Sequence, residues 1–459
     1  MKNLIALIIT LLIISSETIL SQQKVWTLEE CIVYAIDNNI QIKQQVVQTE
    51  YQQNTLDLAK LKLLPTVSGQ ATHNYTFGRS LDQTTYQYTD HQTVQSNNFY
   101  AGGNLNLFSG LTNYNTIKKD EYLVLAGVQD LQYIKDNIAL SVALDYLQIL
   151  LNNELVTANN NQLQITQQQI ERTKKLVDAG SVARGNLLQI EAQAAQEELS
   201  LVTMKNVLDI SYLSLTQMLE LKSPVGFEVI VPEISIDTNA VVTGNVDDIY
   251  AAALGIRPEV KSSELSLKAS EYDLKIARGG RSPRLSLSHS FSTGYSDVRQ
   301  KVIGLDPTTY APIYGKYSFP DQVNDNVSWG LGFTMSVPIL NGWQVNKSIA
   351  NSKLSITNSQ YALEGTRKQL YKNIQQAYAD AVASLKKFTA SKKAITSMEE
   401  SFRYTEQKFN VGLVTPVDYN ASKTQLLKAQ SDLAQAKYEY IFKTKVLDFY
   451  KGLQINLSK

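Results

Sequence analysis

The sequence predicts a mixed α/β fold written twice as an internal tandem repeat, each copy combining very long antiparallel helices with a pair of alternating strands. Three observations carry this reading. Breakers are scarce: 22 Gly and 10 Pro among 459 residues make about 7%, against an average near 12%, so long regular elements can run uninterrupted. Matching segments recur at fixed spacing along the chain. Short stretches between the helical regions alternate apolar and polar residues with a period of two, the pattern of a strand with two unlike faces.

Composition excludes several classes. The 43 Lys+Arg balance 43 Asp+Glu, so there is no basic footprint and no nucleic-acid partner is expected. The 43% hydrophobic content argues against disorder. A single cysteine, Cys31, excludes a disulfide framework and any Cys-rich zinc or iron–sulfur site. Its place in a helical pattern makes it a small core residue. Mean hydropathy is −0.19, and no segment reaches the ~18 consecutive apolar residues of a transmembrane helix.

The chain opens with Met1-Lys2, an apolar run over Leu4–Ile14 and a polar stretch ending near Ser21-Gln22. This is the layout of a secretory signal peptide over residues 1–21, and the mature protein is expected to be exported.

The repeat is read from offsets. Thr27 and Glu30 form a capping-box pattern flanked by Trp26 and Cys31, a helix start. Asn245-Val246-Asp247-Asp248 has the same layout 218 residues later, and the register pairs Ala59 with Ala277 and Pro65 with Pro283. Gly110 and Gly342 are 232 apart, as are Gly180 and Gly412. The offset rises by 14, so the second copy carries a longer insert between Pro283 and Gly342. The first repeat is placed at 22–221, an inter-repeat linker at 222–245 and the second repeat at 246–459.

Each copy reads helix, two strands, very long helix, turn, helix. Strands are expected at about 65–80, 96–109, 283–296 and 326–340, joined by connecting segments at about 81–96 and 297–325 that are rich in Thr, Gln, Asp, Tyr and Pro. From Gly110 to Gly180 and from Gly342 to Gly412 no proline intervenes and apolar residues recur at helical spacing. A helix of ~65 residues at 1.5 Å rise is about 100 Å long. The return helices, near 186–220 and 416–452, are about half that length. Shorter helices near 40–63 and 257–279 are expected to stack end to end with them and make up the difference.

Four strands cannot close a barrel, and an open apolar sheet would leave unpaired edges in lipid. Three copies give 12 strands, an even number within the range of outer-membrane barrels. The apolar positions Leu105, Leu107, Leu285, Leu287, Phe291, Trp329, Leu331, Phe333 and Met335 are expected to face lipid, and the Asn, Ser, Thr and Gly positions a watery lumen. Tyr75, Tyr295, Trp329 and Phe333 suit an interfacial aromatic girdle.

At this point the chain resembles the TolC family of outer-membrane efflux proteins over essentially its whole mature length. The resemblance rests on Trp26 through Asn39, on Gly255-Ile256-Arg257-Pro258-Glu259, on the strand ends at Gly110 and Gly342, and on the turns Gly180-Ser181-Val182 and Gly412-Leu413-Val414. It implies a homotrimer in the outer membrane of a Gram-negative bacterium, with a 12-stranded transmembrane β-barrel and an α-helical barrel extending into the periplasm. It also implies docking through the hairpin turns to a periplasmic adaptor and to an inner-membrane pump of resistance-nodulation-division, ABC or similar type. Exported small molecules or proteins would pass through a passive duct. Where the family has an acidic residue after the turn, the first copy has Asn186 and the second Asp418, so the two turns are not equivalent.

The turn residues Gly180, Ser181, Val182, Gly412, Leu413 and Val414 are the expected docking positions. Arg172, Lys175, Asp178, Arg403, Tyr404, Glu406, Lys408 and Asp418 are candidates for holding the periplasmic end closed. His73, His91 and His289 lack metal-ligand spacing, Gly330-Leu331-Gly332 opens no phosphate-cradling turn, and no hydrolase, metalloprotease or P-loop signature occurs. No enzyme activity and no cofactor are expected. A secreted coiled-coil or adhesion protein is the competing class; it accounts for the helices but not for the alternating strands.

Overall fold

The computed structural model describes residues 25–79, 81, 86, 88, 90, 92–232, 236 and 244–456. The signal-peptide assignment at 1–21, His91, part of the first connecting segment and part of 222–245 lie outside the described residues. The helices are α1 (Leu28–Asn38), α2 (Ile40–Leu61), α3 (Thr112–Asp178), α4 (Arg184–Met218), α5 (Val246–Ile256), α6 (Pro258–Gly279), α7 (Phe319–Asp325), α8 (Gln344–Asn410) and α9 (Pro416–Tyr450). The strands are β1 (Val25–Trp26), β2 (Thr66–Gly78), β3 (Gln92–Phe108), β4 (Glu228–Val229), β5 (Arg284–Ser296), β6 (Gln300–Leu305), β7 (Pro312–Lys316) and β8 (Ser328–Ser336).

The duplication is visible in these bounds. α1 and α5 have 11 residues each, α2 and α6 have 22, and β2 and β5 have 13, all offset by 218. α3 and α8 have 67 each and α4 and α9 have 35, offset by 232. Strained backbone repeats too: Leu111 (φ 61°) and Trp343 (φ 63°) are non-glycine residues with positive φ, each directly after a positive-φ glycine, Gly110 and Gly342.

The chain divides into two compact units. The first draws on Met1–Gln48, Val128–Lys261 and Glu364–Lys459, and its described residues are mostly helical. α1 starts on the reciprocal Thr27–Glu30 capping box, with backbone-to-side-chain bonds of 3.1 Å in both directions. Its buried face, Leu28, Cys31 and Ala35, joins Val142, Tyr146, Ile149 and Leu150 of α3, Leu215 of α4 and Ile441 of α9 in one core. The inter-repeat segment is more than a linker, because β4 within it pairs in parallel with β1. The Tyr146 hydroxyl fastens this pair through Ile230 O at 2.7 Å and Trp26 O at 3.1 Å.

The second unit, Thr49–Gly127 and Ser262–Leu363, holds an antiparallel sheet in the order β2-β3-β5-β8. Two expectations are corrected here. The segment 297–325 is not only a connection: it forms the β6–β7 hairpin and α7. The completely buried Gln322 docks α7, donating to Ser296 O and Tyr317 O at 2.9 Å and accepting from Ser296 N–H at 3.0 Å. The fourth strand stops at Ser336 instead of reaching 340, since Pro338 has no N–H for the ladder.

Candidate functional site: a two-faced sheet and two helix turns

Register fixes which strand residues share a face. Val67, Gly103, His289 and Leu331 form one cross-strand row, and Gly69, Ala101, Phe291 and Trp329 another. Leu105, Leu287 and Phe333 lie in a third row, and Leu285 opposes Met335. Odd-numbered residues therefore line one face across all four strands, and directly opposed side chains are neighbours. This face is uncovered over much of its extent: Trp329 is 79% exposed, Phe333 66%, Met335 65% and Leu331 62%.

The even-numbered face carries Ser68, Gln70 and Thr72 on β2, Asn98, Gly102 and Asn104 on β3, Ser286, Ser288, Ser290 and Ser292 on β5, and Gly330, Gly332 and Thr334 on β8. A cavity of about 610 Å³ opens against Thr76, Val94, Ser96, Asn98, Tyr100 and Ser292, mostly residues of this parity. Two predicted apolar-face residues need correction. A register shift between Asn106 and Phe108 puts Phe108, not Leu107, opposite Leu285, because a bulge inserts one residue and ends the alternation. Tyr295 does not stand free for a girdle, since it packs edge-on against Phe319 of α7 at 5.1 Å.

In the helical unit, both hairpins turn on a glycine. At the first, Gly180 (φ 72°) follows α3 and Ser181 N–H donates back to Leu176 O at 2.9 Å. At the second, Gly412 (φ 80°) follows α8 and Leu413 N–H donates to Lys408 O at 2.8 Å. Positive φ is cheap only for glycine, and these backward bonds satisfy carbonyls that a helix end would otherwise leave open. The turns then differ. α9 has a built start: Thr415 Oγ1 accepts from Asp418 N–H at 3.2 Å and Pro416 occupies the first turn. α4 starts on Ala183, with no side-chain cap. Val411, Leu413 and Val417 around the second turn are 70%, 74% and 61% exposed, whereas Ser181 is a small exposed polar residue and Val182 is half-buried.

The gate candidates separate. Arg172 on α3 reaches across to α8, donating to the side chain and to the backbone carbonyl of Asn410. Arg403 pairs instead within its own helix, with Glu400 at 2.5 Å, and lies over the Tyr404 ring at 5.3 Å. Asp418 is engaged at the α9 cap. Lys175, Asp178 and Lys408 are exposed and Val414 and Glu406 are half-buried.

Sequence reasoning missed a buried polar network behind the turns. Lys423 of α9, 2% exposed, donates to Gln162 O at 2.9 Å, to Thr166 Oγ1, and to Glu197 Oε1 at 3.5 Å. Thr166 donates to the other Glu197 oxygen, while Gln162 and Gln193 donate to Oε1 at 3.1 and 2.9 Å. Burial pushes the Lys423 ammonium below its ordinary pKa, with Glu197 opposing. Tyr419, stacked on Phe409 at 4.5 Å, is pushed up to about 12 by burial and by the Glu406 and Glu197 carboxylates. The available signal was a lysine four residues after Tyr419, on the same helical stripe.

The profile of the outer membrane efflux protein family matches residues 31–220 and 249–448, one match per repeat. The chain belongs to the outer membrane efflux protein family. Among solved structures it is similar to the Campylobacter jejuni CmeC outer membrane channel, at 14% identity over 94% of this chain and 87% of that one, TM-score 0.76. The outer membrane protein VceC of Vibrio cholerae is similar at 14% identity over 93% and 96%, TM-score 0.74. The open state of the Neisseria gonorrhoeae MtrE outer membrane channel is similar at 16% identity over 92% and 88%, TM-score 0.70. No curated protein sequence matches. The fold is therefore that of outer-membrane channel-tunnels, an α-helical barrel combined with a β-barrel, and this efflux-family chain is an outer-membrane efflux channel. No described helix is long and apolar enough to cross a membrane.

Proposed function

We propose that three copies of this chain form a trimeric channel-tunnel, a passive duct for small molecules or proteins delivered by an inner-membrane pump through a periplasmic adaptor. The carrying observation is the sheet: one exposed apolar face, one polar face of small residues, and two edge strands, β2 and β8, that pair on one side only among the described residues. Exposed apolar area of this extent marks a membrane or partner surface, and lipid tolerates no open edge. Two copies would give eight strands, a barrel whose interior side chains must fill. The Gly, Ser and Asn of the even face cannot fill one. Three copies give twelve strands and a water-filled lumen, with the odd-numbered residues against outer-membrane lipid. MtrE's description as an open state supports a duct with a closable end.

Docking would fall on the turns, because each exposes backbone at a glycine and the second also exposes Val411, Leu413 and Val417. The cleaved leader at 1–21 would deliver the chain to the periplasm. The test is a bulky replacement at each turn, Gly180→Trp and Gly412→Trp, in cells whose drug resistance depends on this protein. Resistance should be lost while trimers still form; unchanged export overturns the docking assignment. Extraction into buffer without detergent would favour a secreted structural protein instead.

A further inference from the structure

Charge in the second unit is sorted by position along the sheet. Pairing of Thr66 with Asn104, Phe108 with Leu285 and Arg284 with Ser336 gathers the start of β2, the end of β3, the start of β5 and the end of β8 at one end. Here the sheet passes into α2, α3, α6 and α8. No carboxylate occurs in 58–78, 92–117, 276–296 or 326–363, which cover the four strands and the adjoining helix ends. Every Lys and Arg in these stretches falls at or beyond the helix end of a strand. The loops at the opposite end, 79–91 and 297–325, carry Arg79, Arg299, Lys301 and Lys316 against six aspartates.

Most of these cations lack a counter-charge. Lys60 pairs with Asp57 at 3.1 Å. Lys62, Arg278, Arg281 and Lys347 are exposed and form no ion pair among the described residues. Arg281 instead donates to Asn346 Oδ1 at 2.5 Å, tying the base of β5 to the first turn of α8. The same end exposes apolar side chains. Ile339, Leu340 and Trp343 are 95%, 86% and 67% exposed and prolong the run of Phe333 and Met335 past the end of β8. Leu63 and Leu64 beside Lys62 are exposed as well.

Exposed tryptophan and aliphatic groups among unpaired Lys and Arg are the composition of a membrane–water interface, and clustered cations there attract anionic lipid. Another copy of the chain does not supply the missing charge. Its matching segments bring only further cations, and the nearest carboxylates along α2, α3 and α6, namely Asp57, Asp120, Glu121 and Asp273, are already paired with lysines.

We propose that this rim is a binding surface for anionic phospholipid, with lipid phosphates against Lys62, Arg278, Arg281 and Lys347, and Trp343 and Ile339 at the edge of the acyl chains. It rests on the reading of the odd-numbered face as lipid-facing. Arg284 opposes Ser336 on the polar face and takes no part.

The full-length trimer in phosphatidylcholine vesicles with added phosphatidylglycerol tests this, with tryptophan quenching by brominated acyl chains as the readout. The chain has three tryptophans, and Trp26→Phe with Trp329→Phe leaves Trp343 as the reporter. Brominated phosphatidylglycerol should associate in preference to brominated phosphatidylcholine by about fivefold or more, the scale of one cation at an anionic surface. Salt at about 1 M KCl should remove most of that preference. Lys62→Gln, Arg278→Gln, Arg281→Gln and Lys347→Gln together should bring the ratio near one. Equal quenching by the two lipids before these substitutions, or a preference that survives them, overturns the proposal. Absence of quenching by either lipid overturns it too, because a second copy would then cover Trp343. Trp329, kept alone by Trp26→Phe with Trp343→Phe, reads the underlying assignment: both lipids should quench it alike, and no quenching would defeat the lipid-facing reading itself.

Discussion

Asn39 and Arg257 sit at the same helix-to-helix junction of the two repeats, 218 residues apart, and both are almost completely buried, at 5% and 4% exposure. Asn39 closes its junction with neutral hydrogen bonds, donating to Met218 O at 3.0 Å and accepting from Gln41 N–H at 2.9 Å. This places the start of α2 at the end of α4. Arg257 does the same work with charge. It lies 3.3 Å from Asp136 and 3.2 Å from Glu259, with the Phe449 ring 4.1 Å from its guanidinium. One ancestral joint is thus held by an amide in one copy and by an ion cluster in the other.

Removing Arg257 should be the costlier change. Burial already raises the Asp136 pKa, and Gln132 and Arg257 hold it back; without Arg257 its carboxylate is buried beside Glu259 with no counter-charge. Arg257→Ala is expected to destabilise by about 3–5 kcal/mol, the usual cost of orphaning a buried ion. Asn39→Ala should lose about 1 kcal/mol, the scale of a lost cap. Denaturant unfolding of the purified protein compares them, and equal losses would contradict the assignment.

Tyr419 gives an alkaline signature. Its folded pKa is raised from 10.0 to about 12, so its contribution is complete below pH 10 and is lost as pH rises to 12, where the unfolded chain ionises first. The loss should be on the order of 2 kcal/mol. Tyr419→Phe removes this share of the alkaline slope and changes little at pH 7, as unfolding midpoints at pH 8 and 11 would show. Tyr146 and Tyr438 are raised further by burial, so part of the slope should persist.

The Lys423–Glu197 network predicts non-additivity. Lys423→Met leaves a buried, unpaired carboxylate and should destabilise by about 3–5 kcal/mol, while Lys423→Met with Glu197→Met should recover most of it. Equal instability of single and double variants in thermal unfolding would mean that the pair is needed for packing itself.

How much of this was legible in the sequence depends on the period involved. The 218- and 232-residue offsets, the proline-free helices and the alternation through Trp329, Leu331, Phe333 and Met335 are one-dimensional patterns, and the fold follows from them. The bulge beside Leu107 was not legible, because a bulge changes pairing without changing composition. Nor was α7: its seven residues, Phe319–Asp325, are too few for a periodic signal and are fixed by the tertiary bonds of Gln322. The partners of Lys423 lie 226 to 261 residues away, and no local pattern pairs a lysine with them. Arg257 stood in a recognisable motif, but its burial between Asp136 and Phe449 is a property of the assembled helices.

The sheet offers the sharpest test of the membrane assignment, because neighbouring positions on one pair of strands should respond in opposite ways. Leu331 lies directly across from His289 on the apolar face, and Gly330 opposes Ser290 on the polar face. Leu331→Arg would put a charge against hydrocarbon, costing roughly 2–4 kcal/mol near the bilayer midplane, and should sharply lower the yield of assembled trimer in the outer membrane. In the proposed trimer, Ser290→Arg would point the same charge into the lumen. It should leave assembly intact and shift ion selectivity toward anions, read as a reversal potential across a KCl gradient. Equal loss of assembly in both would mean that the two faces meet the same solvent, and the register-based division of the sheet would be wrong.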